Sequence, residues 1–197
     1  MVEKNGKPKI GVLALQGDFG AHEAALARAG AAPSQVRTAE DLENIDGLVI
    51  PGGESTTMLK LLHIENLFEP LKKFGEQKPI FGTCAGAILL ANEVSNPKQE
   101  SLCLMDITVE RNAYGRQLDS RIVPLDPEDR ERLAEPGIEA VFIRAPIIRR
   151  IGDGVKVLAR YHNDPVLVEQ GRHLVATFHP ELTNDARVHE LFVDKVR

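Results

Sequence analysis

Three short apolar runs constrain what this chain can fold into more than any other feature. Lys9 to Leu15, Leu48 to Ile50 and Pro79 to Gly82 each end in a glycine-bearing turn, and each is followed by a helical pattern. Apolar runs of this length bounded by turn signals read as strands buried on both faces. After the first run, Gln16-Gly17-Asp18 leads to residues 20 to 29, where Ala21, Ala24, Ala25 and Ala29 share a helical face and Gly30 supplies a stop. After the second, Pro51-Gly52-Gly53 precedes a helix from Ser55 through about Leu62, with another near Leu67 to Phe74. The third turns sharply at Thr83-Cys84-Ala85-Gly86 into a helix over Ala87 to Glu93. Such alternation predicts parallel βαβ units with right-handed crossovers, whose ligands sit at the carboxyl ends of the strands.

Beyond residue 100 the pattern changes to short β-like runs separated by turns: Ile107 to Val109, Arg121 to Val123, Ala140 to Ile143, Val155 to Ala159, Pro165 to Val168 and Leu174 to Phe178. One short acidic helix is predicted near Asp126 to Ala134, and a final helix over Asp185 to Val196 with Thr183 or Asn184 as its cap. The expected architecture is one α/β domain over residues 1–197, a mostly parallel central sheet flanked by helices with added antiparallel strands. Met1 to Pro8 is polar and reads as a disordered or extended lead.

Composition narrows the function. Lys plus Arg number 24 against 29 Asp plus Glu, a net charge of −5. A protein reading phosphate backbones usually carries a basic excess, so nucleic acid is not an expected partner. The two cysteines, Cys84 and Cys103, form neither a CxxC pair nor a cluster with zinc spacing, so no disulfide framework or structural metal is expected; no cofactor is expected either. No apolar stretch is long enough for a signal peptide or membrane span, and a cytoplasmic chain without membrane partners is expected.

Gly82-Thr83-Cys84-Ala85-Gly86 carries the chemistry. It has the form of a nucleophile elbow, G-x-S-x-G with cysteine in place of serine, between a buried strand and a helix. Small flanking residues suit a tight turn, the helix amino terminus favours a thiolate, and the amide after the nucleophile can donate to an oxyanion. The plainer reading is a small buried cysteine in a packed turn.

A thiol nucleophile needs a base, and the base an orienting group. His179-Pro180-Glu181 follows an apolar strand, and residues two apart in an extended segment project to the same side. Glu181 is thereby placed to accept from one imidazole nitrogen while the other faces Cys84, and Pro180 biases His179 toward an extended conformation. Taken alone, a histidine at a strand end is more often an ordinary turn residue. His22, His63 and His189 fall on predicted helices and read as surface or edge residues, while His162 and His173 fall in turns. Asp164 near His162 keeps that histidine as a remote second base. Cys103, in Leu102-Cys103-Leu104-Met105, reads as core. Pro51-Gly52-Gly53-Glu54-Ser55 either cradles a ligand with backbone amides or is a plain glycine turn.

Together these motifs resemble the class I, triad-type glutamine amidotransferases. Leu15-Gln16-Gly17, Pro51-Gly52-Gly53-Glu54-Ser55-Thr56-Thr57, Leu104-Met105-Asp106-Ile107, Arg111-Asn112-Ala113-Tyr114-Gly115-Arg116-Gln117, Phe142-Ile143-Arg144-Ala145-Pro146 and Phe178-His179-Pro180-Glu181-Leu182-Thr183 narrow the resemblance to the glutaminase subunits of pyridoxal 5'-phosphate synthases. The resemblance implies hydrolysis of L-glutamine, with ammonia passed to a separate synthase subunit that builds vitamin B6, in the family a complex of twelve glutaminase and twelve synthase subunits. It implies Cys84 as nucleophile, His179 as base and then acid, Glu181 as orienter, and Gly53 and Ala85 as oxyanion-hole amides. It also implies a glutamine site at Gly52, Gly53, Glu54, Arg111, Ile143 and Arg144, and a Gly52-Gly53 peptide that reorients when the synthase docks. Ala21, where the family usually has an acidic residue, and Arg121, where it commonly has an aromatic one, depart from the pattern. Other readings on the same scaffold are an amidotransferase serving another synthase, a cysteine hydrolase or chaperone whose histidine follows the elbow, where this chain has Ala85, and a non-catalytic subunit.

Overall fold

The computed structural model describes residues 6–113, 121–133 and 137–197. Residues 1–5 of the expected lead, Tyr114-Gly115-Arg116-Gln117, Ser120 and the end of the expected acidic helix at Ala134 lie outside the described residues. The strands are β1 (Lys9–Leu13), β2 (Ala32–Val36), β3 (Gly47–Ile50), β4 (Ile80–Thr83), β5 (Ala91–Ser95), β6 (Met105–Glu110), β7 (Arg121–Pro127), β8 (Ile138–Phe142), β9 (Ile147–Ile151), β10 (Val155–Tyr161), β11 (Asp164–Gln170) and β12 (His173–Ala176). The helices are α1 (Phe19–Arg28), α2 (Ser55–Ile64), α3 (Phe68–Gln77), α4 (Ala85–Leu90) and α5 (Arg187–Val196).

The large sheet runs β2-β1-β3-β4-β12-β11-β10-β7-β8. Its first five strands are parallel, and from β12 to β8 each neighbour is antiparallel. A small sheet pairs β6 parallel to β5 and antiparallel to β9. The expected α/β class with added antiparallel strands is the observed one.

Apart from the edge strand β2, the parallel strands are buried on both faces, and their alternation sorts the core. Leu48, Ile50, Ile80 and Val175 pack with Met58, Leu62 and Leu71 of α2 and α3. Ile10, Val12, Val49 and Phe81 face the other way, against Leu26 of α1 and Val188 and Phe192 of α5. Helix α4 is buried all round, as its sequence AGAILL requires. Among the described residues, no helix is long and apolar enough to cross a membrane.

Several local expectations are corrected. The helix expected over Ala87 to Glu93 starts at Ala85 and stops at Leu90, because the next residues pair as β5, with Ala91 opposite Met105 and Val94 opposite Val109. The acidic helix expected from Asp126 is, up to Leu133, the end of β7 and a single turn closed by Leu133 N–H to Asp129 C=O. The Asp129 carboxylate is held there by Arg132 and by Lys156 of β10, cross-links that a regular helix does not need. Helix α5 starts after Ala186, without a side-chain cap from Thr183 or Asn184; Asp185 accepts from Arg187 N–H at 3.1 Å instead. Strands β2 and β9 were not expected: β2 is a polar edge strand containing Pro33, and β9 alternates weakly. His22 and His189 are fully buried, not surface residues, and His173 is a buried strand residue, not a turn residue. Cys103 is exposed, not core, because a positive φ of 54° turns it outward between Leu102 and Leu104.

Candidate active site

Neighbouring strands bring the site together. In β3-β4-β12, Ile50 and Val175 both stand in register with Gly82, so Pro51-Gly52-Gly53, Cys84 and the segment leading to His179 leave the sheet at the same edge. Cys84 occupies the turn between β4 and α4 with φ +48° and ψ −99°, a conformation costly for a residue with a Cβ. The turn is held by Cys84 N–H donating to Ala176 C=O at 2.9 Å. Both flanking glycines are required by close backbone approach. A Cβ on Gly82 would lie 2.6 Å from the Gly86 carbonyl, and one on Gly86 would lie 2.2 Å from the Ile50 carbonyl oxygen.

His179 faces Cys84 across Gly52 on one side, and its Nδ1 lies 2.8 Å from Oε1 of Glu181 on the other. His179 N–H donates to Val141 C=O, which ties the segment to β8. Burial lowers the basicity of His179, but its bonds to Cys84 and Glu181 and their charges more than offset this and raise its pKa to about 10. A proton taken by this imidazole is therefore held until an acceptor is presented to it. Glu181 itself is buried.

Beside this trio lies a cavity of about 190 Å³, lined by Gly53, Glu54, Ser55, Cys84, Ile88, Arg111, Asn112, Ile143, Arg144, Pro146 and His179. With a water taking roughly 30 Å³, it has room for a molecule of amino-acid size. Glu54 caps α2, accepting from Thr56 N–H at 3.0 Å and Thr57 N–H at 2.7 Å. Burial raises its pKa, but these bonds and the Thr57 hydroxyl outweigh that and bring it to about 2. Arg111 is pinned by the Thr56 hydroxyl at 2.8 Å and by Glu54. Arg144, exposed and at φ +45°, makes no ion pair among the described residues, leaving a cation free for an anionic group.

Of the residues expected from sequence, Gly53, Glu54, Cys84, Arg111, Ile143, Arg144 and His179 line the cavity. Gly52 is wedged between Cys84 and His179, Ala85 opens α4 directly after Cys84, and Glu181 stands behind His179. His162, the remote second base, does not line this cavity but another, with Arg160 and Tyr161. Ser55, Ile88, Asn112 and Pro146 join the lining through neighbouring positions on the same turns. Chemically, a thiol, an imidazole with a buried carboxylate behind it, and a pocket holding a free cation suit attack on the carbonyl of a small anionic amide.

Residues 12–197 match the SNO glutamine amidotransferase family. The chain belongs to that family. A pyridoxal 5'-phosphate synthase subunit PdxT from Solibacter usitatus is 67% identical over 95% of this chain and 99% of its own length. One from Koribacter versatilis is 56% identical over 96% of each chain. A solved glutamine amidotransferase structure superposes with a TM-score of 0.86 at 46% identity, covering 95% of this chain and 98% of its own.

In this glutamine amidotransferase the Leu15-Gln16-Gly17 motif makes a contact at the glycine turn that its sequence does not reveal. The Gln16 carboxamide faces the backbone of Glu54; in the amide orientation that pairs donor with acceptor, its nitrogen donates to the Glu54 carbonyl oxygen at 3.0 Å and its oxygen accepts from the Glu54 amide at 3.2 Å. The Gly17 backbone packs so closely on Gly52 that a Cβ there would lie 1.9 Å from the Gly52 carbonyl oxygen. Leu15-Gln16-Gly17 thus braces the turn carrying Gly52 and Gly53.

Proposed function

We propose that this chain is the glutaminase subunit of a pyridoxal 5'-phosphate synthase, hydrolysing L-glutamine to L-glutamate and passing ammonia to a separate synthase subunit. The observation that carries the reading is that Cys84 and His179 line one small cavity that also holds Arg144, with Glu181 hydrogen-bonded to His179 behind them. The relatives that match nearly end to end are subunits of that synthase, which supports the choice of partner.

The substrate's α-carboxylate pairs with Arg144, with Gly52, Gly53, Glu54, Arg111 and Ile143 completing its site, and its side-chain amide reaches Cys84. His179 holds the proton of the Cys84 thiol, and the sulfur attacks the amide carbon. The resulting oxyanion faces the amides of Gly53 and Ala85, the latter in the first turn of α4 where backbone N–H groups have no intrahelical partner. The C–N bond breaks as His179 returns the proton to nitrogen, so ammonia leaves and a γ-glutamyl thioester remains. Water then attacks the thioester, His179 takes its proton and passes it to sulfur, and glutamate departs. Glu181 keeps Nδ1 of His179 protonated and stabilises the imidazolium.

Free ammonia is protonated and lost in water, so a glutaminase feeding another active site works best only when docked. Gly53 has φ +152°, a conformation that favours glycine, and its peptide is proposed to turn into the oxyanion position on docking. The complex is expected to be cytoplasmic, with twelve copies of each subunit. The test is glutamate release by the purified chain with and without its synthase subunit. The reading predicts a large stimulation by the synthase; absence of glutaminase activity even in the complex contradicts it.

A further inference from the structure

Behind Glu181, helices α1 and α5 bring together two histidines that the steps above do not use. His22 and His189 are both fully buried, with Nδ1 of His22 3.0 Å from Nε2 of His189. Nε2 of His22 lies 3.1 Å from the Thr83 hydroxyl and 3.3 Å from Oε2 of Glu181. That oxygen has no hydrogen bond among the described residues, whereas Oε1 is taken by His179. Phe81 packs edge-on to both rings, making this an apolar enclosure for a carboxylate whose side chain is 1% exposed.

Chemistry fixes the protons here. A carboxylate oxygen 3.3 Å from Nε2 disfavours a lone pair there, so Nε2 of His22 carries the hydrogen, which bonds the Thr83 hydroxyl and lies obliquely beside Oε2. Nδ1 of His22 is then bare and must accept from Nε2–H of His189. The nitrogen left over is Nδ1 of His189, which has no partner among the described residues and is a bare acceptor in this arrangement. Every other tautomer pair points a lone pair at Glu181 or sets two N–H groups or two lone pairs against each other. Burial keeps both rings neutral: the pKa of His22 falls well below its ordinary value, with His189 and His179 adding to the effect, and that of His189 falls to about 4, with Arg28 adding.

We propose that His22 and His189 are positioning residues for the glutaminase reaction: His22 holds the second oxygen of Glu181, and His189 fixes the His22 tautomer able to do so. The terminal torsion of a carboxylate is broad, so one held only through Oε1 drifts, while one held at both oxygens keeps Oε1 on Nδ1 of His179. This rests on the reading of Cys84, His179 and Glu181 as a catalytic triad.

The test measures glutamine hydrolysis by the complex with the synthase subunit, for wild type, His22→Leu, His22→Gln, His189→Leu, His189→Gln and Cys84→Ala. His22→Leu is expected to lower kcat by about 10- to 100-fold while the KM for glutamine stays within about twofold. His189→Gln, whose amide can still donate to His22, keeps most of the activity that His189→Leu loses. In isotope-labelled protein the low-field Nδ1–H proton resonance of His179 moves in His22→Leu and returns toward its original position in His22→Gln. If His22→Leu does not fold, the His189 pair reads the same relay. Wild-type kcat with an unmoved resonance in a folded His22→Leu, or equal losses in the two His189 variants, overturns the proposal. If Cys84→Ala keeps its activity the triad reading itself has failed, whereas an inactive Cys84→Ala beside a fully active His22→Leu sinks only the relay.

Discussion

A Cβ built on Gly52 would lie 2.4 Å from Cε1 of His179 and 3.3 Å from Cβ of Cys84. The glycine is pressed between the two groups that exchange a proton, and its lack of a side chain allows their contact. Gly52→Ala should therefore displace the imidazole and lower kcat/KM by about 100-fold, the scale on which ångström misplacements act. Stability should fall by only about 1–3 kcal/mol, since the strain is local. Steady-state kinetics beside a denaturation curve check this; an active Gly52→Ala would mean that His179 has slack the geometry does not suggest.

Arg144 is the cation at the cavity without an ion pair among the described residues, so its loss should be felt in substrate binding. A hydrogen bond to a charged group contributes about 1.5–3 kcal/mol, so Arg144→Ala should raise the KM for glutamine by roughly 10- to 100-fold. kcat should change little, because the α-carboxylate is remote from the reacting amide. Glutamine titrations of the complex separate the two constants, and an unchanged KM would remove Arg144 from the glutamine site.

His173 predicts an acid-sensitive fold. Its Nδ1 accepts from Ile80 N–H at 3.2 Å, which only an unprotonated nitrogen can do. Burial, with Arg172 adding, lowers its pKa to about 4 from an ordinary 6.5. The unfolded chain then binds more protons than the folded one between these values, so the neutral ring's contribution is complete above 6.5 and is lost as pH falls toward 4. The size is on the order of 3 kcal/mol. Melting temperature should drop across that window, and His173→Asn, whose side-chain oxygen can accept from Ile80, should flatten the drop. Equal slopes in both proteins would assign the sensitivity elsewhere.

The elbow was legible because everything it needs is contiguous: buried strand, small residues, cysteine and helix stand within a few positions, and Gly82 and Gly86 are explained by close backbone approach. Glu181 and His179 were legible for the same reason, two residues apart after a strand. His22 and His189 were not, since they meet only after α1 and α5 pack on the same sheet face, 167 residues apart in sequence. A lone histidine on a helix looks like an edge residue until its helix is placed. Cys103 misled in the opposite way: Leu102 and Leu104 are apolar neighbours, but a positive φ points the thiol outward. The end of the helix after the elbow was overrun because Ala91 and Val94 pair with β6, a long-range contact that local propensity does not carry.

The most direct test of the whole account is glutamine hydrolysis by the complex carrying Cys84→Ala. Loss of a triad nucleophile predicts a fall in kcat of about 10⁴-fold or more with the complex still assembled. Activity close to wild type in that variant would contradict the assignment of Cys84 and, with it, the mechanism.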